Sequence, residues 1–212
     1  MLYLLFFCVE NNNSLKFNNF IAVWVFKVAQ RYCAVSIFCA TRAISYFLKI
    51  LPYVFTRPSE LRLAQWSEFD LGEMLWRIPA KRMKVRKEHI VPLAPQVMGL
   101  LSDLHEFSGT SVFLFPSTRA KSNTISDVGP LAALRNLGYD KNTMCLHGFR
   151  AMASTRLNEM GYRADVIEAQ LAHKEPDAVR LAYNRAQYTE ERRKMMDEWA
   201  GYLDGLKAQG HA

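Results

Sequence analysis

The pattern of apolar and polar positions divides the chain near residue 41 into two parts of different character. Residues 1–40 are rich in Phe, Asn and Cys and show little periodicity. From there onward, apolar residues recur at helical spacing between recognisable start and stop signals. The periodicity therefore predicts a series of helices. Their expected bounds are 43–54, 58–65, 95–107, 127–137, 149–160, 165–171, 177–188 and 190–206.

Three shorter apolar runs between the second and third helices are typical of β-strands. They cover residues 66–71, 75–79 and 89–93, and D-L-G-E at 70–73 supplies the turn between the first two. A basic loop, residues 80–88, joins the second run to the third. We therefore predict a mainly α domain of the α+β type, with one small three-stranded antiparallel sheet.

The composition is that of an ordinary folded domain with a basic surplus. The chain has 212 residues, of which 50% are hydrophobic and 22% are charged. These fractions exclude wholesale disorder. The net charge of +7 points modestly to an anionic partner, such as nucleic acid or a membrane surface. Because many proteins are equally basic, the location of the charge matters more than its size.

The cysteines and the apolar segments before residue 41 argue against a zinc-binding, a secreted and a membrane-spanning protein. Without a C-x-x-C pair or zinc-like Cys/His spacing, the cysteines indicate reduced thiols in a cytoplasmic protein. They are Cys8, Cys33, Cys39 and Cys145. Residues 1–9 lack the basic region and cleavage site of a signal peptide. Residues 20–40 are interrupted by Lys27, Gln30 and Arg31, so we predict no transmembrane helix.

The loop before the third strand concentrates positive charge. Several cations lie within residues 77–87, opposed only by Glu88. They are Arg77, Lys81, Arg82, Lys84, Arg86 and Lys87. Such a loop is either a solvated charged turn or a finger that grips phosphates, because each neutralised phosphate releases counterions and adds affinity. The loop alone leaves both interpretations open.

Three further segments are weak signals individually. In H-G-F-R at 147–150, an imidazole and a guanidinium share one face at a helix start, where backbone N–H groups favour a phosphate. Arg57 directly precedes a proline and another helix start, which suits contact with an anion there. His173 follows a helix, and Tyr183 comes later on the next. Each also has an ordinary explanation as a polar surface residue or a packed side chain.

Together these segments resemble one known active site. The order of Arg57, Lys84, His147, Arg150, His173 and Tyr183 matches the six catalytic residues of tyrosine recombinases. Their surroundings match as well: R-P-S-E-L-R at 57–62, W-S-E at 66–68, H-I-V-P-L at 89–93, Q-L-A-H at 170–173 and R-L-A-Y-N-R-A at 180–186. From about residue 41 to 204, the chain resembles the catalytic domain of phage and prophage integrases.

The resemblance implies an enzyme that cuts and rejoins double-stranded DNA through a 3′-phosphotyrosine intermediate. Arg57 and Arg150 would clamp the scissile phosphate, since a guanidinium bonds two oxygens at once and never deprotonates. His173 would donate a hydrogen bond to the same phosphate. No metal and no other cofactor is expected, because the arginines supply the positive charge.

The resemblance also assigns the proton transfers. Tyr183 would be the nucleophile and His147 its base or proton relay; Tyr188, on the same terminal segment, is the competing nucleophile. Lys84 would protonate the departing 5′ oxygen. Lys81, Arg86 and Lys87 are the alternative acids, and with Arg77 and Arg82 they are expected to contact DNA.

The terminal helix carries an apolar stripe with two interpretations. The stripe consists of Met196, Trp199, Leu203 and Leu206. It either packs on the chain's own core or docks on a neighbouring subunit, as recombinases resembling this chain do on DNA. Self-association through this helix is therefore one expectation.

The length predicts a truncated enzyme. Integrases of this type carry two DNA-binding regions before the catalytic domain, and we leave residues 1–40 unassigned and place that domain at 41–212. With Lys16, Lys27 and Arg31 as its only cations, segment 1–40 is expected to add little DNA affinity. A catalytically inert DNA-binding remnant is the first alternative. A type IB topoisomerase is the second, disfavoured by the integrase-like motifs.

Overall fold

The computed structural model describes the backbone of residues 39–84, 86–117, 123–172 and 178–209, with their side chains except those of 39–41 and 178–187. The helices in these ranges are α1 Cys39–Val54, α2 Pro58–Arg62, α3 Pro95–Ser108, α4 Val128–Asn136, α5 Gly148–Glu159, α6 Ala164–Gln170 and α7 Ala178–Gln209. The strands are β1 Phe69–Asp70, β2 Leu75–Ile78 and β3 His89–Pro92. The prediction of a mainly helical domain with one small sheet is confirmed.

The sheet has the predicted antiparallel order, β1-β2-β3. Trp76 lies opposite Phe69 on one side and Val91 on the other. The indole of Trp76 is fully buried and stacks on the Phe69 ring at 5.3 Å between centroids. Arg77, the next residue on β2, is exposed on the opposite face. This alternation is that of a sheet with one face on the core and one in solvent.

Helix α1 forms the centre of the core. It packs against α3, α4, α5 and α7. Phe47, Leu48 and Leu51 on this helix have no exposed surface. The Phe47 ring meets the edge of Phe115 at 5.5 Å. A helix that is apolar on several sides can be stable only in such a buried position, which explains why α1 organises the other helices around it.

The C-terminal segment corrects two expectations. Residues 177–188 and 190–206 were predicted as separate helices, but one continuous helix, α7, covers Ala178–Gln209, since neither proline nor glycine interrupts it near residue 189. The apolar stripe of Met196, Trp199, Leu203 and Leu206 is buried in the chain's own core. Trp199 also donates from its indole to the Pro52 carbonyl of α1 at 2.9 Å. The stripe is therefore not available for docking on a neighbour.

The segment predicted as the first strand is also different. Residues 66–68 form a 3₁₀ turn, and only Phe69–Asp70 pair with β2. The cause lies in two anchors on Trp66: its indole donates to the Ser108 carbonyl at 3.0 Å, and its backbone N–H donates to Val112 at 3.1 Å. These contacts hold the segment against the end of α3, so it cannot extend the sheet. Helix α2 likewise ends at Arg62 rather than at residue 65.

Candidate active site

Arg57 is held at the start of α2 by an acid three residues later. The Glu60 carboxylate, which is almost fully buried, accepts from the Arg57 backbone N–H at 3.0 Å and from its guanidinium at 2.7 Å. Pro58 occupies the first helical position, where its missing N–H costs nothing. Glu60 is not among the residues that the sequence motifs single out for a role. Its spacing from the residue before the helix, which is that of a capping box, is the signal that could have indicated one.

Arg150 lies in the first turn of α5 and reaches the same place. Its guanidinium donates to the Phe55 carbonyl at 3.2 Å and to the Leu171 carbonyl. The Arg57 guanidinium donates to the carbonyl of the following residue, Ala172, at 3.5 Å. Two guanidinium groups from separate segments thus end on consecutive carbonyls after α6. We call Arg57 and Arg150 the arginine pair.

The arginine pair brings two positive charges near each other in a partly buried place. Desolvation and then the positive charge of Arg57 lower the pKa of Arg150 to about 10, although Glu60 and Glu168 act in the opposite direction. Two like charges that face each other in a partly buried place repel. A phosphate that contacted both would relieve this repulsion and accept a hydrogen-bond fork from each.

His147 adjoins the arginine pair. It precedes α5 directly, and its backbone carbonyl accepts from the Arg150 N–H at 3.1 Å. Desolvation, and then the charges of Arg150 and Arg57, lower the pKa of His147, although the residue as a whole remains exposed. The imidazole is therefore neutral at physiological pH and can accept a proton.

His89 is a second histidine near the arginine pair, and the sequence analysis gave it no role. It is buried on β3, with Nε2 at 3.1 Å from the Gln170 carbonyl. Burial, then the charge of Arg192 and, to a smaller extent, the charges of the arginine pair lower the pKa of His89 to about 3, although the hydrogen bond to the Gln170 carbonyl acts in the opposite direction. The ring is therefore neutral, and Nε2–H must be the donor because a carbonyl only accepts. Through this hydrogen bond to Gln170, His89 supports the turn after α6.

Two residues that supply carbonyls to the arginine pair adopt the left-handed backbone region. Phe55 has φ 36° and Ala172 has φ 48°. This region is unfavourable for residues with a Cβ. Strain of this kind persists only where surrounding contacts impose it, and the guanidinium groups of Arg57 and Arg150 are among the contacts that these two residues make.

Substitution of Ala172 by glycine is expected to raise the free energy of unfolding by about 0.5–1 kcal/mol. Removal of the Cβ relieves ~1–2 kcal/mol of left-handed strain, and part of this gain is lost to the freer unfolded chain. Urea denaturation measures the change. The control is Ala151→Gly on the exposed side of α5, which should lower stability by about 1 kcal/mol. Equal destabilisation by both variants would contradict the strain at Ala172.

The basic finger, residues 77–87, is exposed at most of its cations. Arg77, Lys81, Lys84, Arg86 and Lys87 are exposed, whereas Val85 lies outside the described residues. Arg82 differs from the others. Its guanidinium pairs with Glu68 at 2.5 Å and donates to the Glu60 carbonyl at 3.1 Å, and only 12% of its side chain is exposed. Arg82 therefore fastens the base of the finger to α2 and does not project from it.

The remaining predicted site residues are only partly described. His173 lies outside the described residues. Tyr183 is in α7, but its side chain lies outside the described ones. Tyr188, the competing nucleophile, donates from its hydroxyl to the Asp165 carboxylate at 2.7 Å, and Arg163 stacks over its ring. The structure thus brings Arg57, His147 and Arg150 together and engages Tyr188 elsewhere.

The described residues contain neither a cluster of metal ligands nor a membrane-spanning helix. In the ranges given above, no three His, Cys, Asp or Glu side chains are grouped as metal ligands. Among the helices of the same ranges, none is long and apolar enough to cross a bilayer.

Comparison with known proteins identifies the family. Residues 29–190 match the model described as "Phage integrase family". The chain belongs to the phage integrase family. It is 45% identical to the integrase of Enterobacteria phage P4 over 172 residues, which cover 74% of this chain and 39% of that protein. It is 43% identical over 145 residues to the prophage integrase IntA of Escherichia coli K12, covering 68% of this chain and 35% of that protein. The chain therefore spans about two fifths of these relatives.

Solved structures share the fold. The integrase from mycobacterium phage Brujita superposes with a TM-score of 0.57 at 18% identity, covering 86% of this chain and 60% of that one. XerA recombinase superposes with a TM-score of 0.54 at 18% identity, covering 80% of this chain and 63% of that one. At such identity the likeness concerns the fold alone.

Proposed function

We propose that this phage integrase family chain provides the catalytic part, residues 41–212, of a site-specific tyrosine recombinase. Its reaction is the cutting and rejoining of double-stranded DNA during prophage integration or excision. The observation that carries the proposal is the convergence of Arg57 and Arg150, with His147 beside them, on one turn after α6. A shared phosphate explains why cations from separate segments meet there.

In the proposed reaction, the scissile phosphate binds the remaining N–H groups of the arginine pair, while the hydrogen bonds to the Leu171 and Ala172 carbonyls hold the two guanidinium groups in place. The Tyr183 hydroxyl oxygen attacks phosphorus and transfers its proton to neutral His147, while His173 donates a hydrogen bond to the phosphate. The bond from phosphorus to the 5′ oxygen breaks, and Lys84 protonates that oxygen. The reverse steps rejoin the strands and regenerate the free tyrosine.

The exposed cations of the finger suit contact with the DNA backbone. Arg77, Lys81, Arg86 and Lys87 project into solvent, where phosphate contacts release counterions. Arg82 would support them through Glu68.

A DNA substrate implies that the chain works in the cytoplasm. Since the apolar stripe of α7 is buried, self-association on DNA through this helix would use its exposed face around Lys194 and Gly201.

The test of the reaction uses a pool of nicked DNA duplexes with randomised sequence. Cleavage near the nick releases a short strand and traps the protein on DNA. We expect adducts that resist SDS, and their recovered DNA should share one sequence. Duplex binding without any adduct would refute the proposed reaction and favour an inert DNA-binding remnant.

The role of Lys84 can be isolated with a duplex in which sulfur replaces the 5′ bridging oxygen. Lys84→Met should slow adduct formation on ordinary DNA by about 10²–10⁴-fold, because a general acid contributes that much. On the sulfur duplex the rate should return nearly to that of the unaltered chain, since a thiol with a pKa of ~8.5 leaves without a proton.

The matched control for Lys84 is Lys141→Met, an exposed lysine outside the finger and outside α7. It should leave both rates unchanged. If Lys84→Met were equally slow on both duplexes, Lys84 would not be the acid. Rescue by sulfur of a Lys81 or Lys87 variant would transfer the role to that residue.

A further inference from the structure

Arg192 is a buried arginine on α7, the helix that also contains Tyr183. It is 8% exposed. Its guanidinium donates twice to the Gln170 side-chain oxygen, at 3.0 Å from Nε and 2.6 Å from Nη2, and once to the Ile90 carbonyl. One side chain thus joins α7 to the end of α6 and to strand β3.

The acceptor of Arg192 is the residue that begins the turn beneath the arginine pair. Gln170 has no exposed surface and is the last residue of α6. Its backbone carbonyl receives the hydrogen bond from His89 at 3.1 Å. The next two carbonyls, those of Leu171 and Ala172, receive the guanidinium groups of Arg150 and Arg57. If Gln170 moved, the Leu171 and Ala172 carbonyls that the arginine pair contacts would therefore move with it.

Burial of a charged arginine at this position is energetically unfavourable. Among the ion pairs of the described residues, none includes Arg192, so its buried charge is compensated by neutral oxygens. Burial of a charge costs several kcal/mol, and a well-packed apolar side chain of similar size is often as stable. An apolar residue, however, would not fix the direction of Gln170 relative to β3. The geometry thus favours alignment over stability as the role of Arg192.

We infer that Arg192 is a positioning residue for strand cleavage, which sets the tyrosine-bearing helix against the turn that holds the arginine pair. The inference rests on the proposed function. Arg192 acts through Gln170 and Ile90, and its burial keeps it from direct contact with DNA. Its loss should change the rate of the chemical step more than the affinity for DNA, because small displacements of reacting groups cost about 10²-fold in rate.

The experiment compares Arg192→Met and Arg192→Lys with Arg193→Met. Arg193 is the adjacent arginine, which is partly exposed and donates only to the Glu73 carbonyl among the hydrogen bonds described. Single-turnover adduct formation at saturating nicked duplex gives the rate, and a titration gives the Kd. We expect Arg192→Met to slow the rate about 10–100-fold with Kd changed less than about 2-fold. Arg192→Lys should recover part of the rate, and Arg193→Met should match the unaltered chain.

A second measurement separates this inference from the proposed function. Inorganic phosphate is titrated into each protein while the His147 imidazole is followed by NMR. Arg192→Met should bind phosphate about 10-fold more weakly, since the arginine pair is no longer aligned. If the unaltered chain formed no adduct on any duplex, the proposed function would fail, and this titration would still decide the role of Arg192.

Two outcomes would overturn the inference. One is an Arg192→Met protein with unchanged adduct rate and phosphate affinity. The other is a rate and duplex affinity that fall together with the loss of cooperative unfolding, which would make Arg192 merely structural. If Arg192→Met does not fold, Gln170→Met removes the acceptor instead and is expected to show the same slower rate with unchanged Kd.

Discussion

Tyr183→Phe is expected to abolish the covalent protein–DNA adduct, and Tyr188→Phe to retain it. The first change removes the proposed nucleophilic oxygen and keeps an aromatic ring in α7. The second removes a hydroxyl that already donates to Asp165 at 2.7 Å. The adduct is measured by its SDS resistance after incubation with the nicked duplex pool.

Binding of the duplex provides the control for both tyrosine variants. Each should bind with the Kd of the unaltered chain, because phosphate contacts dominate DNA affinity and a tyrosine hydroxyl carries no charge at neutral pH. Loss of the adduct in Tyr188→Phe, with retention in Tyr183→Phe, would reverse the assignment of the nucleophile.

Arg150→Lys is expected to slow adduct formation by about 10²–10³-fold, as removal of one preorganised donor to a transition-state oxyanion does in other enzymes. Lysine keeps the positive charge but lacks the planar fork that bonds two phosphate oxygens. It also cannot reach the Phe55 and Leu171 carbonyls in the way that the guanidinium does. The rate is measured in a single turnover at saturating duplex.

The matched control for Arg150 lies on the same helix. Arg156 pairs with Glu159 at 2.9 Å on the surface of α5, where an ion pair contributes ~0–1 kcal/mol to stability. Arg156→Lys should therefore react at the unaltered rate. An Arg150→Lys protein that reacted as fast would show that charge alone is sufficient, and the bidentate role of Arg150 would be wrong.

The sequence predicts elements with local stop signals better than elements defined by distant contacts. The ends of α4 and α5 are followed by Gly138 and Gly161, which adopt φ 94° and 85°, and a glycine after a helical run is a stop signal that the sequence itself displays. The short β1 was predicted too long because the anchors of Trp66, at Ser108 and Val112, are remote in sequence. No local pattern contains that information.

The residues of the candidate site also fall into those indicated by local sequence motifs and those defined by distant contacts. Arg57, His147 and Arg150 follow from motifs of a few residues, and the structure brings them together. Glu60 could have been found from its capping-box spacing, whereas His89 and Arg192 have roles that depend on burial and on partners elsewhere in the chain, which the sequence does not display. In the sequence, Arg82 cannot be distinguished from its basic neighbours, yet its ion pair with Glu68 at 2.5 Å attaches the base of the finger to the segment before β1.

The covering of α1 by the last helix has a consequence for synthesis of the protein. The Pro52 carbonyl and the Tyr53 hydroxyl form hydrogen bonds with Trp199 and Asp204, which lie 147 and 151 residues later in the chain. These bonds can form only after the last helix has been synthesised. At about 5–20 residues per second, a ribosome needs roughly 7–30 s to produce the intervening chain. During this interval the apolar side of α1 lacks its final cover, and transiently exposed apolar surface of this kind promotes aggregation.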